Sequence, residues 1–180
     1  MIQETVKRLL RVARTHGVVV VGASEKAERA SHQVLRSLKE TQNLPGLVAV
    51  NPTLVKPSPT ELPTIVGVPC YTSLKAVVDA ERSSDKNANF PTTVRKVVCI
   101  FRSEPGPSVV EAVELGFRHF WLQYGVFLSD ADKNTIAAEL ISMDDAPKDE
   151  DLKNELLLVE DRCLKVELNK FPDEATSANL

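Results

Sequence analysis

Apolar positions along the chain switch between helical and strand spacing. Ile2, Val6, Leu9, Leu10 and Ala13 recur at three- and four-residue intervals with charges between them, which predicts an amphipathic helix over residues 2–14. Val18-Val19-Val20-Val21 is wholly β-branched, the pattern of a strand buried on both faces, and Gly22-Ala23-Ser24 ends it. A second helix opens near Ser31, whose hydroxyl is expected to cap it, with Val34, Leu35 and Leu38 along one side. Asn43, Pro45 and Gly46 stop that helix. Residues 47–50 are the next apolar run, closed by Asn51-Pro52 because proline lacks an N–H and restrains the residue before it.

Beyond that point the punctuation is denser. Pro57, Pro59 and Pro63 predict an extended surface loop over residues 53–66, and Ser73 starts a short helix carrying Leu74, Val77 and Val78. Residues 80–93 are charged and polar and read as a mobile insertion. Residues 97–101 form a clear strand. After Pro105-Gly106-Pro107 a helix is expected over residues 109–115, with Gly116 at its C-terminal cap. Residues 120–122 predict another strand, ending at Gln123-Tyr124-Gly125. Ser129 or Asp130 caps a helix to about Ile141, residues 143–154 read as an acidic solvated linker, and residues 156–159 are the last strand. Strands alternating with helices imply an α/β fold, a doubly wound parallel sheet with helices on both faces. No internal repeat or domain boundary interrupts it. Residues 1–170 are therefore expected to form a single domain and 171–180 a disordered tail.

Composition narrows the class. A chain of 180 residues supports one sizeable core, and with only 5% aromatic residues that core must be aliphatic. The formal net charge of −3 argues against nucleic acid as a partner, and no apolar run is long enough for a membrane span. Cys70, Cys99 and Cys163 lack zinc-site spacing, so no metal is expected, and packed thiols in a reduced, cytoplasmic compartment fit best. Lys7, Arg8, Arg11, Arg14 and His16 suggest a mitochondrial presequence. Glu4 interrupts that basic face and a strand follows at once, so a helix flanking the core is the preferred reading.

In open parallel sheets ligands bind outside the carboxyl ends of the strands. Here those ends carry Gly22-Ala23-Ser24, Asn51-Pro52, Phe101-Arg102 and Gln123-Tyr124-Gly125. Gly22 permits close backbone approach, and the N–H groups opening the next helix favour an anion, to which Lys26, Arg29 and the Ser31 hydroxyl would add charge and hydrogen bonds. The second and third glycines of the dinucleotide fingerprint are absent, and Gly22 alone is equally compatible with a plain strand-to-helix turn. Asn51-Pro52 is an ordinary turn pair, Arg102 an ordinary surface arginine, and His16, His32 and His119 have no metal-ligand spacing. No catalytic triad or carboxylate dyad is recognisable. The residues offer binding chemistry without an evident reaction.

Taken in order, six segments carry a resemblance. They are Val19-Val20-Val21-Gly22-Ala23-Ser24 with Arg29 and Ser31; Val50-Asn51-Pro52; Cys70-Tyr71-Thr72-Ser73-Leu74; Ile100-Phe101-Arg102; Trp121-Leu122-Gln123-Tyr124-Gly125-Val126; and Asp161-Arg162-Cys163-Leu164-Lys165-Val166-Glu167. From residue 2 to about 168 the chain resembles the small stand-alone CoA-binding proteins, relatives of the CoA-binding domain of the succinyl-CoA synthetase α subunit. The resemblance implies a Rossmann-like sheet of five to six strands with coenzyme A, free or acylated, along its carboxyl rim. Gly22, Ala23 and Ser24 would hold the diphosphate with Arg29 and Ser31 beside it. Asn51 and Pro52 would lie near the adenosine, Phe101 and Arg102 would flank the nucleotide, and Gln123 with Gly125 would line the pantetheine side. The lysine that family members often place after Asn-Pro is Thr53 here. The synthetase relatives react through a histidine on a separate domain, which implies a binding module without catalysis of its own. The alternatives are an NAD(P)-binding enzyme, or an interaction protein that keeps the fold without the ligand.

Overall fold

The computed structural model describes residues 2–54, 61–84, 92–142 and 156–172. Its elements follow the order α1 (Ile2–His16), β1 (Val18–Val21), α2 (Ala30–Glu40), β2 (Val48–Val50), β3 (Thr64–Ile65), β4 (Val68–Tyr71) and α3 (Leu74–Ser84). After a 3-10 turn at Thr92–Arg95 come β5 (Val97–Ile100), α4 (Gly106–Glu114), β6 (His119–Leu122), α5 (Asp130–Ser142), β7 (Leu157–Val159) and α6 (Leu164–Lys170). The sheet has seven strands in the order β3-β4-β2-β1-β5-β6-β7, and every pairing is parallel except the β3–β4 hairpin.

Side-chain alternation along the strands sorts the core into two halves. Val18 and Val20, with Ala49, Cys99 and Trp121, face a cluster built from Leu9 and Leu10 of α1, Leu35 and Leu38 of α2 and Leu164 of α6. Val19 and Val21, with Val98, Ile100 and Phe120, face Leu74 and Val78 of α3, Val109 and Val113 of α4 and Ile136 of α5. All four valines of β1 are essentially without exposed surface, as a strand covered by helices on both sides requires. Trp121, the single tryptophan, donates its indole N–H to the Arg162 carbonyl at 2.7 Å, so its burial leaves no donor unpaired.

Several local expectations are corrected. Seven strands replace five to six because β3 lies at the end of the expected loop and β4 just beyond it, where the sequence pattern gave no element. Val66 and Gly67, with φ of 55° and 67°, form a tight turn of the hairpin kind that reverses the chain between them. Ser31 does not cap α2: Arg29 occupies the cap position with no side-chain hydrogen bond, and Ser31 lies in the first turn. Residues 80–84 continue α3, and Thr93 N–H donates to the Glu81 carboxylate across the connection at 2.7 Å. A seven-residue helix, α6, follows β7, where the sequence pattern gave no element. Other caps fall where expected. Ser73 Oγ accepts the Ala76 N–H at 3.0 Å, and Ser129 and Asp132 exchange backbone-to-side-chain bonds at 3.1 and 3.2 Å. The acidic linker at 143–154 lies outside the described residues, as do positions 173–180 of the expected tail. Phe171, assigned to that tail, packs against the α1 side of the core, and Arg14 donates to the carbonyls of both Leu168 and Phe171.

Gly17 joins α1 to β1 with φ of 91°, and a Cβ there would overlap the Pro45 carbonyl oxygen. Gly17→Ala is therefore expected to lower stability by about 2 kcal/mol or more, from left-handed strain plus a backbone clash, read as a fall in the urea midpoint. His119 provides a second test at the amino rim. Burial lowers its pKa from the usual 6.5, helped by the charges of His16, Arg8 and Arg118 and opposed by its bond to the Arg95 carbonyl. His16 shifts the same way, by burial and the charges of Arg95 and Lys96. Below the unfolded value of 6.5, the unfolded chain takes up protons that the native state resists. Stability should thus be complete above that pH and decline beneath it. The urea midpoint at pH ~5.5 should lie below that at pH ~7.5, and His119→Gln should narrow the gap.

Candidate functional site

Strand order reverses between β1 and β5. The chain runs outward from β1 through β2 to β4 on one side and from β5 through β6 to β7 on the other. The crevice of such a sheet opens at the carboxyl ends of these two strands, and there the structure places Gly22 and Phe101. Phe101 N–H donates to the Val21 carbonyl at 3.0 Å, and a Cβ on Gly22, whose φ is 83°, would touch Phe101 at 3.5 Å. A pocket of about 400 Å³ sits against this pair, lined by Gly22, Ser24, Lys26, Arg29, Ala30, Ser31 and Phe101. Six of the twelve anticipated residues therefore share one cavity.

Only some of the anticipated donors are free. Gly22 and Ala23 both give their N–H to the Val50 carbonyl, at 3.0 and 3.2 Å, so these groups are committed to the sheet. Ala23 is buried and packs into the core on the α1 side. Ser24 Oγ accepts the Lys26 N–H at 3.2 Å, shaping the loop. The first turn of α2 remains: its N–H groups precede the first intrahelical bond, Gln33 N–H to Arg29 carbonyl, and no side chain caps them. They open beside the exposed Lys26 and Arg29, which makes the pocket a cationic, donor-rich cradle for an anion.

His32, which the sequence places near the start of the second helix as a lesser candidate for ligand contact, holds this cradle from behind. It is buried, and its Nδ1 donates to the Ser24 carbonyl at 2.9 Å, linking the first turn of α2 to the loop after β1. The sequence signal for it was position alone, two residues into a helix that follows a strand-end glycine.

The remaining anticipated residues lie along the same rim outside the pocket. Asn51 and Pro52 follow β2, adjacent to the Gly22 turn. Asn51 Oδ1 accepts both the N–H and the hydroxyl of Thr53, at 2.9 and 2.8 Å, closing a tight polar turn. Arg102 is exposed next to Phe101. Gln123 is buried and turned inward, its amide donating to the Cys99 sulfur at 2.9 Å. Gly125 is exposed with φ of 76°, and its N–H donates to Asp161 at 2.8 Å, tying the β6 and β7 loops together.

The family model of the CoA binding domain matches residues 16–169. The chain belongs to that family. No curated protein gives a significant match. Among solved structures, this CoA binding domain is similar to a hypothetical protein from Pyrococcus horikoshii OT3, at 23% identity over 94% of this chain and 92% of that one, with a TM-score of 0.59. Prb, a protein redesigned for binding, matches at 21% identity over 94% and 91%, with a TM-score of 0.59. A Thermus thermophilus protein matches at 19% identity over 94% and 98%, with a TM-score of 0.57. These likenesses establish the fold.

Within this CoA binding domain the three thiols are not equivalent. Burial pushes the Cys70 thiol up to about 11 and that of the fully enclosed Cys99 up to about 12, so neither forms thiolate near neutrality. Cys163 is only half-buried, at the cap position of α6 on the carboxyl rim. N-ethylmaleimide at neutral pH should therefore label the native protein once, at Cys163, and the urea-unfolded protein at all three cysteines. Mass spectrometry of the digested adducts reads both results.

Proposed function

We propose that this protein is a binding module for coenzyme A, with the diphosphate seated in the cradle between Gly22, Phe101 and the first turn of α2. The observation that carries this reading is the convergence of uncapped helix N–H groups, Lys26 and Arg29 at the switch point of a CoA binding domain. Helix dipole, free donors and two cations act together on a doubly charged diphosphate. Gly22 keeps the wall open so that the ligand backbone can approach the strand end. Lys26 and Arg29 supply the charge, Ser24 and Ser31 the hydroxyls, and His32 fixes the loop that presents them.

The adenosine would then extend toward Asn51 and Pro52, and the pantetheine arm toward Gly125 past Phe101 and Arg102. Ala23 and Gln123 serve this arrangement as supports rather than contacts, since their polar groups are already paired within the sheet. The side chains gathered here bind and orient; none is arranged as a nucleophile beside a base. At position 53, Thr53 carries no charge and its donors are spent on Asn51. Recognition of the 3′-phosphate is accordingly expected to be weak.

Calorimetric titration with CoA, dephospho-CoA, NAD and NADPH tests the reading. Saturable binding of CoA is expected, with dephospho-CoA within about tenfold of it and no heat from either nicotinamide nucleotide. CoA at about 100 times its dissociation constant should stabilise the fold by roughly 2.7 kcal/mol in a thermal-shift assay. Arg29→Glu, an exposed change, should weaken CoA by about tenfold or more while leaving the melting temperature of the free protein in place. Equal affinity before and after that change would remove the cradle as the diphosphate site.

A further inference from the structure

A larger groove, of about 740 Å³, lies further along the same rim, where β7 ends. Leu158, Cys163, Val166, Ile2 and Tyr124 contribute its neutral surface. Three of these are conspicuously open to solvent for their type: Ile2 is 65% exposed, Tyr124 80% and Val166 42%. These uncovered side chains give the depression an apolar wall.

The charged residues in the groove have partners, some within it and some on neighbouring loops. Glu160 accepts the Leu128 N–H at 2.7 Å and pairs with Lys133 at 3.3 Å. Asp161 accepts the Gly125 N–H at 2.8 Å. Arg162 and Lys170 both hold the buried Glu167, at 3.5 and 3.0 Å. With those charges committed, Ile2, Tyr124 and Val166 are left as an apolar wall in a groove of otherwise mixed polar and apolar lining, and a hydrocarbon chain can pack against that wall.

Position supplies the occupant. Phe101, on the wall of the diphosphate cradle, and Cys163 both pack against the same core cluster on the α1 side of the sheet. They follow β5 and β7, two strand spacings apart, or about 10 Å. A pantetheine arm leaving the cradle along the rim, past the Gly125–Asp161 tie, is longer than that span and ends at this groove. We propose that the groove at the end of β7 receives the apolar acyl chain of a CoA thioester, so that the preferred ligand is an acyl-CoA rather than free CoA. This rests on the CoA reading above. Tyr124 and Val166 form the walls of the acyl site, and Cys163 lies beneath the chain.

The test compares CoA, acetyl-CoA and octanoyl-CoA by calorimetry, on the full chain and on the Val166→Asp and Tyr124→Ala variants. Octanoyl-CoA is expected to bind about tenfold or more tighter than CoA, with acetyl-CoA between them, because each buried methylene adds affinity. Either substitution should shrink that ratio toward one. Saturating octanoyl-CoA should also slow maleimide labelling of Cys163, and acetyl-CoA should slow it less. CoA and octanoyl-CoA binding with equal affinity, or unprotected Cys163 in the octanoyl complex, overturns the acyl site while leaving the CoA reading intact. Absence of binding by all three ligands overturns both. A dimer in solution that Val166→Asp converts to monomer would assign the face to a second copy and overturn the acyl site.

Discussion

Val18–Val21 pairs with β2 along one edge and β5 along the other, and its side chains meet helices on both faces. A strand enclosed in this way has no access to water, so every backbone N–H and C=O in it must find a partner in the neighbouring strands. The chain meets that demand by adding strands outward from β1 in two directions. The reversal of strand order, and with it the crevice at Gly22 and Phe101, follows from having a fully buried strand in the middle. The position of the candidate site is thus settled by backbone pairing before any ligand-contacting side chain is considered.

The same pairing demand extends one residue beyond the strand and changes which groups are free. Gly22 and Ala23 continue donating to Val50 after β1 has ended. The turn is therefore held to the sheet, and the nearest free N–H donors lie at the start of α2. A conventional side-chain cap at Arg29 would have consumed those donors; its absence preserves them at some cost to helix stability. His32 compensates from inside the fold by pinning the Ser24 carbonyl. A glycine turn held to the sheet and open donors at the helix are complementary features of one short connection.

The sequence made the central elements legible because each had an unambiguous physical signature. Four consecutive valines have no comfortable place except a strand buried on both faces, and the α1 stripe has a strict helical spacing. The strand ends and the family resemblance pointed to Gly22, Ser24, Arg29, Ser31 and Phe101, and the charge pattern to Lys26; all six line one pocket. Other features were hidden for specific reasons. β4 contains Pro69, and its hairpin turn uses Val66 at a positive φ that β-branched residues rarely adopt, so neither signal of a strand was present. α6 is too short for periodicity to register. Gln123 reads as a polar rim residue, and only the tertiary structure shows its amide spent on the sulfur of Cys99. Ala23, a small residue beside a glycine, suggests closeness to ligand, and the tertiary structure shows that it also closes the core.

The β3–β4 hairpin bears on the edge that the sheet presents to a second molecule. A parallel sheet that stopped at β2 or β4 would present a row of free backbone groups, a template on which a second molecule could pair. β3 lies over that row for two residues, running against the direction of every other strand, and Pro63 precedes it. Lys39 seals the turn by donating to the Gly67 carbonyl at 2.6 Å, placing a charge at the sheet boundary. Edgewise growth of the sheet from one molecule into the next is thereby discouraged by a strand too short to extend and a cation that resists close approach.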